Sequence, residues 1–254
     1  MSSSNSQTPS GELGAWRVTK PPPVDFASVE YLVSKASITE AWKKVRSNKG
    51  APGADGVRIE HFPKWVRPQW NQIQKQVLGG TYKPSPALRV EIPKESGGIR
   101  LLGIPRVLDR VLMQAIAIRL GEIFNSTFSD NSFGYRPHRS VQQAARRAQR
   151  YYQEGHRIQI DIDLERFFDT VNHDVLLDRV GRRVKNKGLL KLLGRFLRAG
   201  VMVDGRLQPT RLGVPQGSPV SLILSNILLD DLDKELEKRG HKFIRYADGT
   251  PVQA

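Results

Sequence analysis

Two short acidic stretches carry the residue types that could do chemistry. The first is Asp161-Ile162-Asp163, near the end of residues 157–164, where apolar and polar residues alternate as in a strand. Residues i and i+2 of a strand share a face, so these carboxylates are neighbours and repel each other. A bivalent cation would relieve the repulsion, and hard oxygen ligands suit Mg²⁺ or Mn²⁺. The same pattern also describes a strand end whose acids are solvated or paired with arginines. The second stretch is Tyr246-Ala247-Asp248-Gly249, directly after a short apolar strand at 242–247, where Asp-Gly is equally an ordinary hairpin turn. Carboxylates from two strands meeting at one point could hold two cations about 3.5–4 Å apart for in-line phosphoryl displacement.

Two further stretches could handle a phosphorylated ligand. Gly213-Val214-Pro215-Gln216-Gly217-Ser218-Pro219 feeds a long helix, and such a loop can approach a ligand closely and present free N–H groups. It reads equally well as a structural turn. Lys94 and Arg100 flank the Gly97-Gly98 turn of a hairpin, where two cations could close on a triphosphate; a solvated hairpin is the bland reading.

The elements that must position these residues follow from the hydrophobic period. The chain has 254 residues, and 40 Lys and Arg against 25 Asp and Glu give a net charge of +15. That excess points to a polyanionic partner, most simply nucleic acid. The chain has no cysteine, so disulfides, thiol nucleophiles and Cys-ligated metals are excluded. No apolar run approaches the roughly 18–20 residues that span a bilayer, so no membrane partner is expected.

Residues 1–23, rich in Ser, Gly and Pro, read as a flexible arm without a signal or transit pattern, which makes a cytoplasmic protein the default. Ser37-Ile38-Thr39-Glu40 has capping-box spacing and opens a helix that stops at Asn48-Lys49-Gly50. Further helices are expected over 63–78, 108–124, 141–153 (with Arg146, Arg147 and Arg150), 174–198 and 221–239. Hairpins are expected at 88–102 and around Asp204-Gly205. Strands and helices mix without a regular alternation, so the fold class is α+β.

The order of the motifs is more specific than any one of them. Asn48-Lys49-Gly50-Ala51-Pro52-Gly53-Ala54-Asp55-Gly56 is followed by Ile92-Pro93-Lys94, Gly97-Gly98-Ile99-Arg100-Leu101-Leu102-Gly103-Ile104-Pro105 and Asp109-Arg110. Then come Phe133-Gly134-Tyr135-Arg136-Pro137, Asp163-Leu164-Glu165-Arg166-Phe167-Phe168-Asp169, Pro215-Gln216-Gly217-Ser218-Pro219 and Tyr246-Ala247-Asp248. From Ser37 to Asp248 the sequence resembles the reverse transcriptases encoded by bacterial group II introns.

The resemblance implies the fingers and palm of a right-hand polymerase, with an antiparallel palm sheet. The division expected from it is an arm and lead-in over 1–36, fingers over 37–156 and a partial palm over 157–254. It implies RNA-directed DNA synthesis with Mg²⁺ (Mn²⁺ also serving), dNTP as substrate, and template RNA, a DNA primer and group II intron RNA as partners, in a bacterial cytoplasm. By position, Asp163 and Asp248 are the metal-binding carboxylates, and Ile162 or Leu164 offers a backbone carbonyl. Lys94 and Arg100 match residues on the triphosphate. Phe168 matches the aromatic that excludes a 2′-hydroxyl, and Gln216 and Gly217 lie beside the nascent base pair. Arg136, Arg139, Arg146, Arg147, Arg150, Lys185 and Lys187 would meet RNA phosphates. Asp161 is expected to be a supporting acid and His173 a packing residue at a helix start.

Two departures from the family pattern carry weight. The family hairpin reads Tyr-Ala-Asp-Asp, whereas position 249 here is glycine, and Leu222 stands where proline is usual. The hairpin's second strand is expected to be lost in Thr250-Pro251-Val252-Gln253-Ala254, leaving Asp248 near a fraying end and an open edge at 243–247 that invites self-association. The expectation is therefore a truncated fingers and partial palm, without thumb, maturase or endonuclease regions and with little or no polymerase activity. A non-catalytic intron-RNA-binding remnant is the alternative. A retron or diversity-generating reverse transcriptase is disfavoured by Gly249.

Overall fold

In the computed structural model, residues 27–93 and 97–253 are described; the arm at 1–23 and Lys94 lie outside them. The chain begins with α1 (Val29–Leu32) and α2 (Lys35–Ser47), followed by α3 (Phe62–Val66) and α4 (Trp70–Leu78). A hairpin follows, β1 (Ala87–Pro93) and β2 (Ile99–Ile104), then α5 (Val107–Phe124) and α6 (Val141–Gln153). Next come β3 (Gln159–Ile162), α7 (Phe167–Thr170), α8 (His173–Gly181), α9 (Lys187–Leu197), β4 (Val201–Val203) and β5 (Arg206–Gln208). The long helix α10 (Ser221–Lys238) leads to β6 (Lys242–Phe243) and β7 (Thr250–Gln253). This is a mixed α+β fold, as its sequence indicates.

Several boundaries differ from the hydrophobic pattern for identifiable reasons. α2 starts earlier than Ser37, because the Ser34 hydroxyl caps it by accepting from the Ser37 N–H, and Ser37 is buried in the first turn. The expected helix over 63–78 is broken by a 3₁₀ turn at Arg67–Gln69, where Pro68 lacks an N–H to donate. The expected helix over 174–198 is two helices. The second is restarted by Asn186, whose side chain accepts from the Leu189 N–H. α6 coincides with its expected range and carries a complete capping box between Ser140 and Gln143.

α5 is the central element. It is buried nearly all round, including Asp109, Arg110 and Arg119, because α2, α3, α9 and α10 pack against it. The main apolar core runs through α2, α5, α9 and α10 and takes residues from both sides of position 156. A smaller cluster of Phe133, Ala144, Tyr151 and Ile244 joins α6 to the strand that follows α10.

Two sheets flank this core. In the first, ordered β2-β1-β4-β5, the two expected hairpins merge because β1 pairs with β4 in parallel. The second is ordered β3-β7-β6, and all its pairs are antiparallel.

This second sheet overturns the expectation of an unfinished hairpin. Thr250–Gln253 forms its central strand, pairing with Gln159–Ile162 on one side and with Lys242–Phe243 on the other. Nor is the edge at 243–247 open. The Arg245 N–H donates to the Asn131 carbonyl and its carbonyl accepts from the Phe133 N–H, both at 2.8 Å. The ground for self-association through that edge is thereby removed.

Candidate active site

β3 and β7 set the two acidic residues together. Their register pairs Ile162 with Thr250, so Asp163 lies one residue past the ladder on one strand. Asp248 lies two residues before it on the other. An antiparallel continuation therefore places Asp163 opposite Gly249, with Asp248 adjacent. Asp163 is exposed and Asp248 half-buried, so both can meet solvent or a ligand. Asp161, also exposed, accepts a hydrogen bond from the Gln159 amide at 2.7 Å. Of the two carbonyl candidates, that of Ile162 belongs to a ladder residue, and that of Leu164 accepts from the Phe167 N–H.

Asp248 is held by a tight turn. The Tyr246 N–H donates to the Gly249 carbonyl at 3.0 Å, and Ala247 is forced to φ +63°. A non-glycine residue pays for that left-handed conformation, so the surroundings must enforce it. They do so through Arg245, which is completely buried. Its guanidinium forks onto the Asp233 carboxylate at 2.7–3.0 Å and donates to Asn226 at 2.8 Å and to the Ser132 hydroxyl at 2.7 Å. One N–H reaches the Ala247 carbonyl at 2.9 Å, one residue before Asp248.

Asn226 in turn donates to the Gly134 carbonyl at 3.0 Å. Gly134 is pressed so closely on the turn that a Cβ there would fall 2.2 Å from the Ala247 nitrogen. Burial raises the Asp233 pKa, and the Arg245 fork opposes that rise. Arg245, Asp233, Asn226 and Gly134 fix the turn, and none is marked as special by the sequence motifs except as a letter within one. The available signals were a lone arginine in an apolar strand and an acid on the buried face of α10.

The loop at 213–219 is built into the same region. The Gly103 N–H of β2 donates to the Gln216 carbonyl at 2.9 Å, which ties the loop to the strand that carries Arg100. Gly217 takes φ +99°, and a side chain there would crowd the Gly103 carbonyl. Phe168, half-buried on α7, accepts from the Val214 N–H at 2.7 Å through its carbonyl and meets Phe167 edge-on at 5.3 Å. His173 is buried with Nε2 2.7 Å from the Gly213 carbonyl, a packing and anchoring role. So the structure sets Asp163 and Asp248 at the same end of one sheet, and joins Phe168, Gln216 and β2 through one loop.

The site's approaches are anchored by buried polar groups. Asp109 accepts from the Tyr82 hydroxyl, the Ser85 N–H and Arg106 Nε, at 2.5, 3.0 and 2.8 Å. Burial raises the pKa of both Asp109 and Tyr82. Arg110 donates to the Ala51 carbonyl at 2.6 Å and so holds the glycine-rich loop at 48–56 against α5.

The basic residues divide into two kinds. Arg136 donates to Asn125 Oδ1 and to the carbonyls of Ser129, Ser132 and Asn125 at 2.5–3.0 Å; burial lowers its pKa to about 10. Its fork is spent inside the fold, which corrects its expected place among phosphate contacts. Arg139 pairs with Asp130 and Arg147 with Asn131 and Tyr151. Arg146 and Arg150, and Lys185 and Lys187, are exposed, Lys185 donating to the Gly181 carbonyl.

Asp163 and Asp248 lie at the same end of the sheet, and among the described residues no group of three or more His, Cys, Asp or Glu is placed to hold a metal ion. Glycine at 249 supplies no side-chain oxygen.

A small antiparallel sheet with two acids at one end, and a hairpin sheet tied to a glycine-punctuated loop, are the parts of a palm and fingers in a templated nucleic-acid polymerase. The chain belongs to the reverse transcriptase (RNA-dependent DNA polymerase) family, whose model matches residues 92–252. It is 34% identical over 234 residues to Protein YkfC of Escherichia coli, covering 90% of this chain and 61% of that one. It is 32% identical to the group II intron-encoded protein LtrA of Lactococcus lactis, covering 85% of this chain and 36% of LtrA. A solved partial Cas6-RT-Cas1–Cas2 complex shares the fold, with TM-score 0.57 and 24% identity over 89% of this chain and 38% of that one. The chain thus spans between about a third and three fifths of these proteins' lengths. Among the described residues no helix is long and apolar enough to cross a membrane.

Proposed function

We propose that this chain is the fingers and palm portion of a group II intron reverse transcriptase, and that Gly249 leaves its palm competent to bind but poor at synthesis. The observation that supports this reading best is the β3–β7 register, which pairs Ile162 with Thr250 and whose continuation would bring Asp163 to the level of Gly249, next to Asp248. Asp163 and Asp248, with a carbonyl from Ile162 or Leu164, would hold one Mg²⁺ or Mn²⁺. Such an ion neutralises phosphate charge and helps to activate a primer 3′-hydroxyl when it is bound.

The chain's own residues do the remaining work. Arg100 on β2, with Lys94, would bind the triphosphate of an incoming dNTP. Phe168 would press against the sugar at the position of a 2′-hydroxyl, and Gln216 and Gly217 would form the floor beneath the nascent pair. The tie from Gly103 to Gln216 supports this, because it couples the triphosphate side of the site to the base side. Arg146, Arg150, Lys185 and Lys187 would meet template, primer or intron RNA through phosphates.

Loss of one of three carboxylates from a two-ion site costs orders of magnitude in rate. Gly249 therefore also favours the second reading, an intron-RNA-binding protein that aids its RNA without synthesis.

Primer extension on poly(rA)/oligo(dT) with Mg²⁺ or Mn²⁺ tests the polymerase reading. Extension at or near background is expected, alongside salt-sensitive binding of group II intron RNA that survives Asp163→Ala. Robust synthesis that Asp163→Ala abolishes would overturn the impaired palm.

A further inference from the structure

On the helical side of the molecule, away from the second sheet, α2, α3, α4 and α5 enclose a pocket of about 490 Å³. It shares no residue with the candidate active site. Its wall is aromatic: Trp42, Phe62 and Trp70 line it, with the Trp42 and Phe62 rings 5.0 Å apart between centroids. Trp65 stacks against Phe62 at 6.0 Å, so three of the chain's four tryptophans gather at this place. Trp42, Trp65 and Trp70 pack against the main core and all remain only partly buried, which leaves aromatic surface facing out.

The pocket's rim is cationic. Lys35 and Arg67 line it, both exposed, and neither Asp nor Glu does. Polar edges are also present. Asn71 is exposed, and Gln74 donates to the Val33 carbonyl through its amide nitrogen, leaving its oxygen free to accept.

An aromatic wall, a cationic rim and two amides match one ligand chemistry closely. A nucleobase stacks on aromatic faces and offers donors and acceptors at its edge, while its phosphate seeks a cation. Duplex bases are stacked on each other and cannot enter, so the ligand must be unpaired. The net charge of +15 favours a polyanion and disfavours a basic peptide as occupant.

We infer that this pocket binds an unpaired base of single-stranded RNA, with the partly exposed Trp42 and Trp70 stacking on the base and Lys35 and Arg67 holding its flanking phosphates. The site is independent of the palm and of the polymerase reading. It would anchor a looped-out nucleotide while the rest of an RNA lies elsewhere on the basic surface.

Tryptophan fluorescence supplies the test, because two of the four emitters, Trp42 and Trp70, line the pocket. The intact chain is titrated with an eight-nucleotide oligo(A) RNA, with AMP, and with heparin as a polyanion lacking bases. Oligo(A) is expected to quench emission saturably, AMP to quench more weakly, and heparin not to quench. Trp70→Leu should weaken oligo(A) binding by about 5- to 100-fold, within the range of one base–aromatic stack, and Arg67→Ala should weaken it and flatten its salt dependence. Arg67 is exposed, so its variant keeps the fold even if Trp70→Leu does not. Asp163→Ala should leave the titration unchanged, which separates this site from the palm.

Equal quenching by heparin, or oligo(A) binding unaffected by Arg67→Ala, would overturn the assignment. So would saturable quenching by an apolar peptide but not by oligo(A), since it would mark the pocket as a protein-docking groove. Primer extension does not enter these outcomes, so failure here leaves the palm reading standing.

Discussion

At the scale of single residues, position 249 carries most of the proposed chemistry. The backbone there is not left-handed, and a Cβ would have the Tyr246 carbonyl as its nearest neighbour, at an ordinary 3.7 Å. Nothing in the fold therefore requires glycine, and the missing carboxylate is a property of the sequence rather than of the turn. Gly249→Asp should fold with stability changed by no more than about 0.5 kcal/mol, as at other unconstrained surface positions. It should also tighten Mn²⁺ binding about tenfold or more, equivalent to about 1.4 kcal/mol for a third ligand oxygen. Titration followed by electron paramagnetic resonance reads the ion directly and does not depend on turnover. Unchanged affinity would mean that residue 249 does not point toward Asp163 and Asp248, and the proposed site would have to be redrawn.

At the scale of elements, one arginine joins three of them. Arg245 links α10 through Asp233 and Asn226, the segment at 131–133 through Ser132, and the β6–β7 turn through Ala247. Removing the guanidinium would strand the Asp233 carboxylate in a fully buried place, so Arg245→Met should cost about 3–5 kcal/mol. The double variant Arg245→Met with Asp233→Leu should recover much of that loss, because no uncompensated charge remains. Urea denaturation of both variants measures the difference; equal stabilities would show that the pair is not coupled.

This network also marks where reading the sequence runs out. Local period and caps were enough for α5, α6 and the β1–β2 hairpin, since each is set by residues within a few positions of itself. The turn at 246–249 was misjudged because its stability comes from Ser132, Asn226 and Asp233, residues distant in sequence that touch it only in the fold. The parallel pairing of β1 with β4 was invisible for the same reason. Motif order singles out Asp163, Asp248 and Gln216 as candidates, because the spacing between blocks reflects the fold indirectly. It could not distinguish Arg136, committed to carbonyls, from Arg146, facing solvent.

At the scale of the whole molecule, that distinction becomes measurable through the net charge of +15. A protein that neutralises phosphates releases their counterions, so log K falls linearly with log salt, by about 0.7 per phosphate on a single strand. Arg146 and Arg150 lie on the exposed side of α6 and should each contribute one such contact. Replacing both with alanine should flatten the slope by about 1.4 and weaken binding to any RNA sequence alike, with little change in Tm. Arg136 should behave in the opposite way. Its four hydrogen bonds hold the segment at 125–132 together, so Arg136→Ala should lower Tm and leave the salt slope nearly unchanged. Filter binding across a salt series, paired with thermal melts, separates the two effects. If Arg136→Ala flattened the slope as much as the double variant, its guanidinium would have to leave the carbonyls when RNA binds. The division of the basic residues into structural and binding sets would then be wrong. A charge total alone cannot make this division, because it counts a guanidinium buried among carbonyls the same as one facing a phosphate.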